Sequence, residues 1–368
     1  MVTSFAPTRC GIARFSTSLA SAVIPSGVEI DLFRLLQTGD GPSTDPRIIF
    51  EFDPTNSASV KRAIQLLDRY EVVVFQHEFG IYGPDNGIAV AAIVEALTHA
   101  AVMVVIHTVP LHPRQRQHEI IRRLAQASIS LVVPSHSARV ALENVYSVPA
   151  HDVTVIPHGS SWQPLEPRVG HRSRLLSWGL LGPGKGIERA ITALSHLPDL
   201  IEKGLTYRVV GQTHPNVVRQ QGFRYRESLE RLIASLGLED VVTLDNGYKS
   251  EADLYRLVGE ADAVIIPYDN REQISSGVLA ESVAAGKPIV ATAFPHATEL
   301  LSTGAGIVVE HDDPHMMAGA IRTLLTDDVA YRRAVTQARG LSRRLAWTEV
   351  GRRYTETFDR LAKELAVG

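Results

Sequence analysis

Short β-branched runs alternate with longer amphipathic stretches along the whole chain, the pattern of β-α units that feed a parallel sheet. In the first half, apolar runs at 71–76, 101–107, 129–134 and 153–156 predict strands, and helical periodicity predicts helices over 11–22, 57–70, 88–99, 115–127 and 137–145. The second half repeats the alternation, with strands at 174–178, 207–210, 241–244, 263–266, 288–292 and 306–309 and helices over 187–197, 225–236, 250–259, 278–285 and 314–325. Each half therefore reads as a doubly wound α/β domain. Gly159, Ser160, Ser161, Pro164, Pro167 and Gly170 interrupt the pattern over 158–171 and predict a linker there. Residues 327–365 carry no strand signal and read as arginine-rich helices that close the structure. Ligands of open parallel sheets bind outside the carboxyl ends of the strands, so two facing sheets would share a site in the cleft between domains.

Composition changes the picture mainly by exclusion. At 368 residues the chain exceeds what one hydrophobic core organises, which agrees with two domains. A formal charge of −3 with no long run of one sign offers no footprint for a polyanion, and nucleic acid is excluded as a partner. The single cysteine, Cys10, cannot form an internal disulfide, and no basic stretch followed by an apolar core opens the chain. A cytoplasmic location is the expectation. Apolar runs fall far short of the roughly 20 residues that span a bilayer, which leaves only peripheral membrane contact open. Oligomeric state is not written in the sequence. Six lysines stand against thirty-one arginines, so each lysine position is informative.

The densest chemical signal is SWGLLGPGKG, where glycines at 179, 182, 184 and 186 separate a strand from a helix beginning at Ile187. Exposed amides and a helix N-terminus make an anion cradle there, and Lys185 adds a point charge. A Gly-rich turn with a solvated lysine is the plainer alternative, since the spacing is neither a P-loop nor G-x-G-x-x-G. A second candidate is QISSGVLAE, 273–281, in which Ser275, Ser276 and Gly277 present amides at a helix start and Glu281 lies one turn deeper. That carboxylate could accept paired hydrogen bonds from a ribose diol, or the segment is an ordinary N-cap with a surface glutamate. Histidines end two first-half strands, His77 before Glu78 and His107 before Thr108. His107 reads either as a group poised near neutral pH to donate to a sugar hydroxyl or as a satisfied structural residue. The run HDDPH at 311–315 suggests a metal, but Asp313 before Pro314 is explained by an N-cap with proline at the first helical position. No Asp-x-Asp occurs, so a metal-held diphosphate has no sequence support, and cations and dipoles would have to neutralise phosphates.

In this order the segments resemble the retaining glycosyltransferases of family 4 over nearly the whole chain. SFAPTRCGIA (4–13) resembles the family's N-terminal glycine loop, IHT (106–108) its active-site histidine turn, and VIPHG (155–159) its VIPNG segment. GLLGPGKG (179–186) resembles the G-R-x-x-x-x-K-G phosphate loop, ESVAAGKPIVAT (281–292) the tail of the acidic E-x7-E motif, and AWTEVGRRY (346–354) the family's last helix. The resemblance implies an α/β GT-B fold: two facing Rossmann-like domains with an inter-domain cleft and a C-terminal helix crossing back to the first. The boundaries would be 1–160 for acceptor binding, 171–345 for the nucleotide-sugar donor, and 346–368 for the closing helix.

It also implies metal-independent transfer of a hexose from a nucleotide-diphosphate sugar to a hydroxyl of an oligosaccharide or glycolipid, with retention at the anomeric carbon. GDP-mannose is the preferred donor and UDP-glucose the next; the segment 246–249 that would meet the base does not discriminate. By the same resemblance His107, Lys185 and Gln273 take the catalytic positions. Gly11, Gly182, Gly184, Gly186, Arg219, Ile274, Ser275, Ser276, Gly277 and Glu281 would hold the donor. Two positions depart from the family: Leu180 stands where relatives carry a diphosphate-gripping arginine, and Gln273 stands at the first acid of E-x7-E. Arg219 or Arg224 is the expected replacement cation. A sugar-nucleotide epimerase, a phosphorylase, and a non-catalytic sugar-nucleotide binding module remain alternative functions.

Overall fold

The computed structural model describes all residues except Arg9, Thr38, Tyr248 and Gly368, and omits the side chains of Asn216 and Val367. Arg9 of the 4–13 loop and Tyr248 of the 246–249 segment thus lie outside the described residues. The chain divides into a first unit, Met1–Gly159 with Trp347–Gly368, and a second, Ser160–Ala346.

The first unit holds a seven-stranded sheet of β1 (Val2–Thr3), β2 (Leu32–Leu35), β3 (Ile48–Phe52), β4 (Val72–His77), β5 (Ala101–Ile106), β6 (Ser130–Val133) and β7 (Val153–Val155), in the order β3-β2-β1-β4-β5-β6-β7. Every pairing is parallel. β5 is buried along its whole length, as expected of an unbroken apolar run with cover on both faces. The apolar pattern predicts β4 to β7 but not β1 to β3, for three local reasons. β1 is two residues long; β2 contains a charged residue, Arg34; and β3 lies at the sheet edge, where Glu51 interrupts the apolar run.

The second unit holds β8 (Arg174–Trp178), β9 (Thr206–Val210), β10 (Val242–Asp245), β11 (Ala263–Ile266), β12 (Ile289–Thr292) and β13 (Gly306–Val309), all parallel in the order β10-β9-β8-β11-β12-β13. Its core lies on both sheet faces, with Ile191, Leu194 and Val209 in one cluster and Val264, Leu279 and Val283 in the other. Three short helices, Pro198–Glu202, Pro215–Gln221 and Pro295–Leu300, go unpredicted because each begins with a proline. Proline there starts a helix instead of breaking one.

The stretch 158–171 is not a free linker. Trp162 is buried in the second unit's core, Leu165 donates its amide to Ala285 O at 2.9 Å, and Arg339 caps Leu165 O at 2.8 Å. The closing helix Trp347–Val367 belongs to the first unit, where Val350, Tyr354 and Leu361 join the core with Phe15 and Leu19 of the helix Gly11–Val23. A Cβ at Gly351 would stand 2.7 Å from Ala22 O, so only glycine lets the two helices approach so closely.

Candidate functional sites in the two units

In both sheets the strand order reverses beside the unit's first strand, between β1 and β4 and between β8 and β11. Crevices at the carboxyl ends of such strands are where open α/β sheets bind ligands. Each unit's best candidate residues cluster there.

In the second unit β8 leads into the glycine loop. Lys185 N–H donates to Gly182 O at 3.1 Å, closing a tight turn, and Asp269 N–H donates to Gly184 O at 3.0 Å. Gly186 has φ +64°, and a Cβ there would lie 1.7 Å from Pro267 O, so the loop can pass under the end of β11 only as glycine. Gly182 is buried beneath Val217, while Gly184 has open space in front of it. The helix Ile187–Leu194 begins immediately afterwards, capped by Gly186. Lys185 Nζ rests 4.2 Å from the centroid of the Tyr268 ring, a cation-π contact that fixes the ammonium at the loop's mouth. Arg189, in the helix's first turn, is already matched by Asp269 and Asp312. A cradle of this build, with amides, a helix N-terminus and one ammonium, suits an anion.

The segment after β9 lies against this loop. Leu181 N–H donates to Gln212 O and His214 N–H to Leu181 O, both at 2.8 Å. The helix Pro215–Gln221 follows and carries Arg219, which is exposed. The half-buried imidazole of His214 lies within electrostatic reach of both Lys185 and Arg219. Arg224 instead opens the next helix, Arg224–Ser235, whose Tyr225 hydroxyl donates to Glu188 at 2.7 Å. Of the two expected replacement cations, Arg219 acts on His214 together with Lys185. Leu180, at the departed position, is 40% exposed.

The loop after β11 fits the expectation only in part. Ser276 caps the helix Gly277–Ala284, but its amide donates to His296 Nδ1 at 2.9 Å and so is not offered to a ligand. Gln273 accepts from Asn270 Nδ2 at 3.1 Å and donates to Ser275 O, so its amide is already engaged in shaping the loop. Ile274 is buried, which leaves its backbone and not its side chain as a contact, while Ser275 and Gly277 are half-buried. Glu281 is 8% exposed, and its Oε2 lies 3.4 Å from Trp178 Nε1 at the end of β8. It is not the surface glutamate of the plainer alternative. Asp313 caps the helix Pro314–Thr326 through Met316 N–H at 2.9 Å, as the N-cap reading of HDDPH expects. His296, Tyr268 and His214 are the polar residues that sequence reasoning missed; of these only His214 carried a signal, directly before a helix-starting proline.

In the first unit the helix Gly11–Val23 starts at Cys10, whose Sγ accepts from Ala13 N–H at 3.4 Å. Gly11 is exposed, and a Cβ there would meet nothing within 4 Å. Arg34, fully buried, steadies the preceding loop by donating to Phe5 O at 3.2 Å and Thr8 Oγ1 at 3.2 Å, with Asp40 at 2.9 Å as its counter-ion. His107 Nε2 lies 2.8 Å from Gln76 Oε1. That oxygen only accepts, so Nε2 carries the ring hydrogen and Nδ1 is an acceptor. Phe15 packs edge-on against His107, His158 and Trp347 at 4.7, 5.2 and 5.2 Å. Burial, followed by the neighbouring His158 and His77, pulls His107 down to about 3. Burial alone takes His77 to about 3 and, as the leading cause, His158 to about 4. His107 is thus neutral at physiological pH and accepts through Nδ1, which corrects the expectation of a donor poised near neutrality. Beside it Glu78, its carboxyl raised by burial, accepts from Thr108 Oγ1 at 2.6 Å.

Residues 166–341 match the family described as Glycosyl transferases group 1. A D-inositol 3-phosphate glycosyltransferase of Xylanimonas cellulosilytica is 28% identical over 66% of this chain and 59% of its own length. The lipopolysaccharide glucosyltransferase WaaG of Escherichia coli is 28% identical over 48% of this chain and 40% of its own. The chain spans about 60% of the length of the inositol phosphate enzymes it matches. Among solved structures, Anabaena Alr3699/HepE in complex with UDP and glucose superposes with a TM-score of 0.77 at 18% identity, covering 97% of this chain and 98% of that one. Sucrose-phosphate synthase from Thermosynechococcus elongatus follows at 0.75 and 15%, covering 95% and 93%. The fold is the two-unit α/β architecture of these GT-B enzymes.

Proposed function

We propose that this protein, whose residues 166–341 are a group 1 glycosyltransferase domain, moves a hexose from a nucleotide-diphosphate sugar to a hydroxyl of a carbohydrate or glycolipid. The observation that carries the proposal is the glycine loop after β8, which sets Lys185 at a helix N-terminus and is fastened to the 212–214 segment by two backbone hydrogen bonds. The diphosphate would lie on the amides of Gly184 and Gly186 and the Lys185 ammonium, with Gly182 shaping the turn, Gly277 and Ser275 adding polar contacts, and Glu281 taking the ribose. Within the first unit, Gly11 and the acceptor nitrogen of His107 suit neutral hydroxyl groups. In this reading the charge on the diphosphate is met by these amides and Lys185 without a metal.

In the reaction the acceptor oxygen bonds to the anomeric carbon as the bond to the diphosphate breaks on the same face. The acceptor's proton passes to the departing phosphate oxygen. The protein's part is to hold both groups aligned and to stabilise the charge that grows on the diphosphate. Structural neighbours in complex with UDP and glucose and with UDP-glucose make UDP-glucose the first donor to test, ahead of GDP-mannose. A thermal-shift panel of UDP-, GDP- and ADP-sugars tests the reading, because ligand that binds only the native state raises its stability. No shift with any of them would sink it. The engagement of Gln273 with Asn270 and Ser275 favours a second reading, a binding module without transfer. Tight donor binding with no donor consumed alongside any acceptor would mark that case.

A further inference from the structure

The helix Asp328–Leu345 of the second unit buries one face, through Tyr331, Ala334, Val335, Ala338, Ser342 and Leu345. At about 100° per residue, Val329, Arg332, Arg333, Arg343 and Arg344 fall within an arc of about 120° on the other side, and all five are exposed. The two arginine pairs stand three turns apart, about 16 Å along the axis. The acids beside this face are already matched: Asp328 pairs with Arg172 at 2.6 Å and Glu166 with Arg339 at 2.9 Å. Among the described residues none of the four arginines has a hydrogen-bond or ion-pair partner; Arg332 lies within electrostatic reach of Asp328, and Arg333 lies over Gly304. Helix polarity accounts for Arg343 and Arg344, which sit in the last turn, where cations suit the macrodipole. It gives Arg332 and Arg333, in the second turn, no support.

We propose that the arginine face of the helix Asp328–Leu345 docks the protein on an anionic lipid bilayer. The chain as a whole carries a formal charge of −3, so the attraction has to come from this row and not from net charge. Scanning the sequence for runs of one sign passes over the row, because helical periodicity and not adjacency gathers it. Guanidinium forks pair with phosphate oxygens, and a straight row of them meets a flat layer of lipid headgroups. Val329, 70% exposed at one end of the row, adds an apolar side chain for the layer beneath the phosphates. Nucleic acid fits less well: the helix's one aromatic residue, Tyr331, is buried under Arg172, so no ring is there for a base to stack on. Docking of this kind goes beyond the proposed sugar transfer and stands or falls without it.

The test is co-sedimentation of the full chain with vesicles of phosphatidylcholine, with and without phosphatidylglycerol. Wild type should bind only the anionic vesicles and should leave them in about 1 M salt, where the screening length falls to about 3 Å. A basic side chain near an anionic surface strengthens binding about fivefold, so Arg332→Gln with Arg333→Gln should weaken it about 25-fold, and Arg343→Gln with Arg344→Gln by a similar factor. All four changes together should leave only the binding seen on neutral vesicles, while lysine at all four positions should restore it. Because the four side chains are exposed, the melting temperature without vesicles should hardly move. Arg62→Gln with Arg231→Gln removes two exposed charges from other helices and should leave binding unchanged. The proposal is overturned if wild type does not prefer anionic vesicles, if the fourfold glutamine variant still binds them, or if the Arg62 and Arg231 changes cost as much. Tighter binding of heparin or single-stranded DNA than of vesicles through the same arginines would identify a linear polyanion as the partner and overturn it as well.

Discussion

The two units share one topology and differ in the chemistry at the same point of it. At the end of β4 and β5 stand His77 and His107, both uncharged through burial, with Gln76 and Glu78 beside them. At the end of β8 and β11 stand an ammonium, open amides and a helix N-terminus. The first set suits neutral hydroxyl groups and the second a fixed anion. A doubly wound sheet fixes where a ligand docks, and the residues in its first loops decide the ligand's charge.

The sharpest way to break this contrast is at Gly186. Gly186→Val should abolish measurable sugar-nucleotide binding, because its Cβ overlaps Pro267 O; retained binding by thermal shift would show that the loop is not the anion site. Next in size, Lys185→Ala should lower turnover more than a hundredfold, about 3 kcal/mol by the precedent of donors to a developing charge. Its melting temperature should change little, since Lys185 is only half-buried. Near-normal rates would reject the role.

A third prediction uses the histidines. Their folded pKa values lie at about 3 to 4, below the unfolded value near 6.5, so the unfolded state binds more protons between those limits. Stability is full above pH 6.5 and falls as pH drops toward 4, by up to about 1.4 kcal/mol per pH unit for His77 alone. Hydrogen exchange at pH 7 and pH 5 should show amides of β4 and β5 losing protection ahead of those of β8 and β11; equal loss in both sheets would contradict it. The smallest effect is expected from Leu180→Arg, which should tighten donor binding severalfold and make Arg219→Ala milder than it is in wild type. Strict additivity of the two changes would separate Arg219 from the cradle.

Much of this was legible in the sequence, and the exceptions share a physical reason. β5 and β11 announce themselves because both faces are covered and the runs are unbroken. β2 is hidden by Arg34, which is buried because Asp40, Glu51 and two backbone carbonyls satisfy it, partners that lie outside the strand and that an apolar pattern does not show. The glycine loop was legible because Gly-rich turns into helices have few other uses. The state of His107 was not, since its neutrality comes from Phe15, His158 and His77 closing around it. The engagement of the Ser276 amide by His296 was equally invisible, because it joins residues twenty positions apart through tertiary packing.

The helix Trp347–Val367 has a consequence for how the molecule is made. The first unit borrows its last structural piece from beyond the second, so a nascent chain finishes the second sheet while the apolar flank of Phe15, Leu19 and Val23 still waits for its cover. A ribosome that stalls at Ala346 would release a complete second unit joined to a half-clothed first one, a species that chaperones should recognise and proteases should trim.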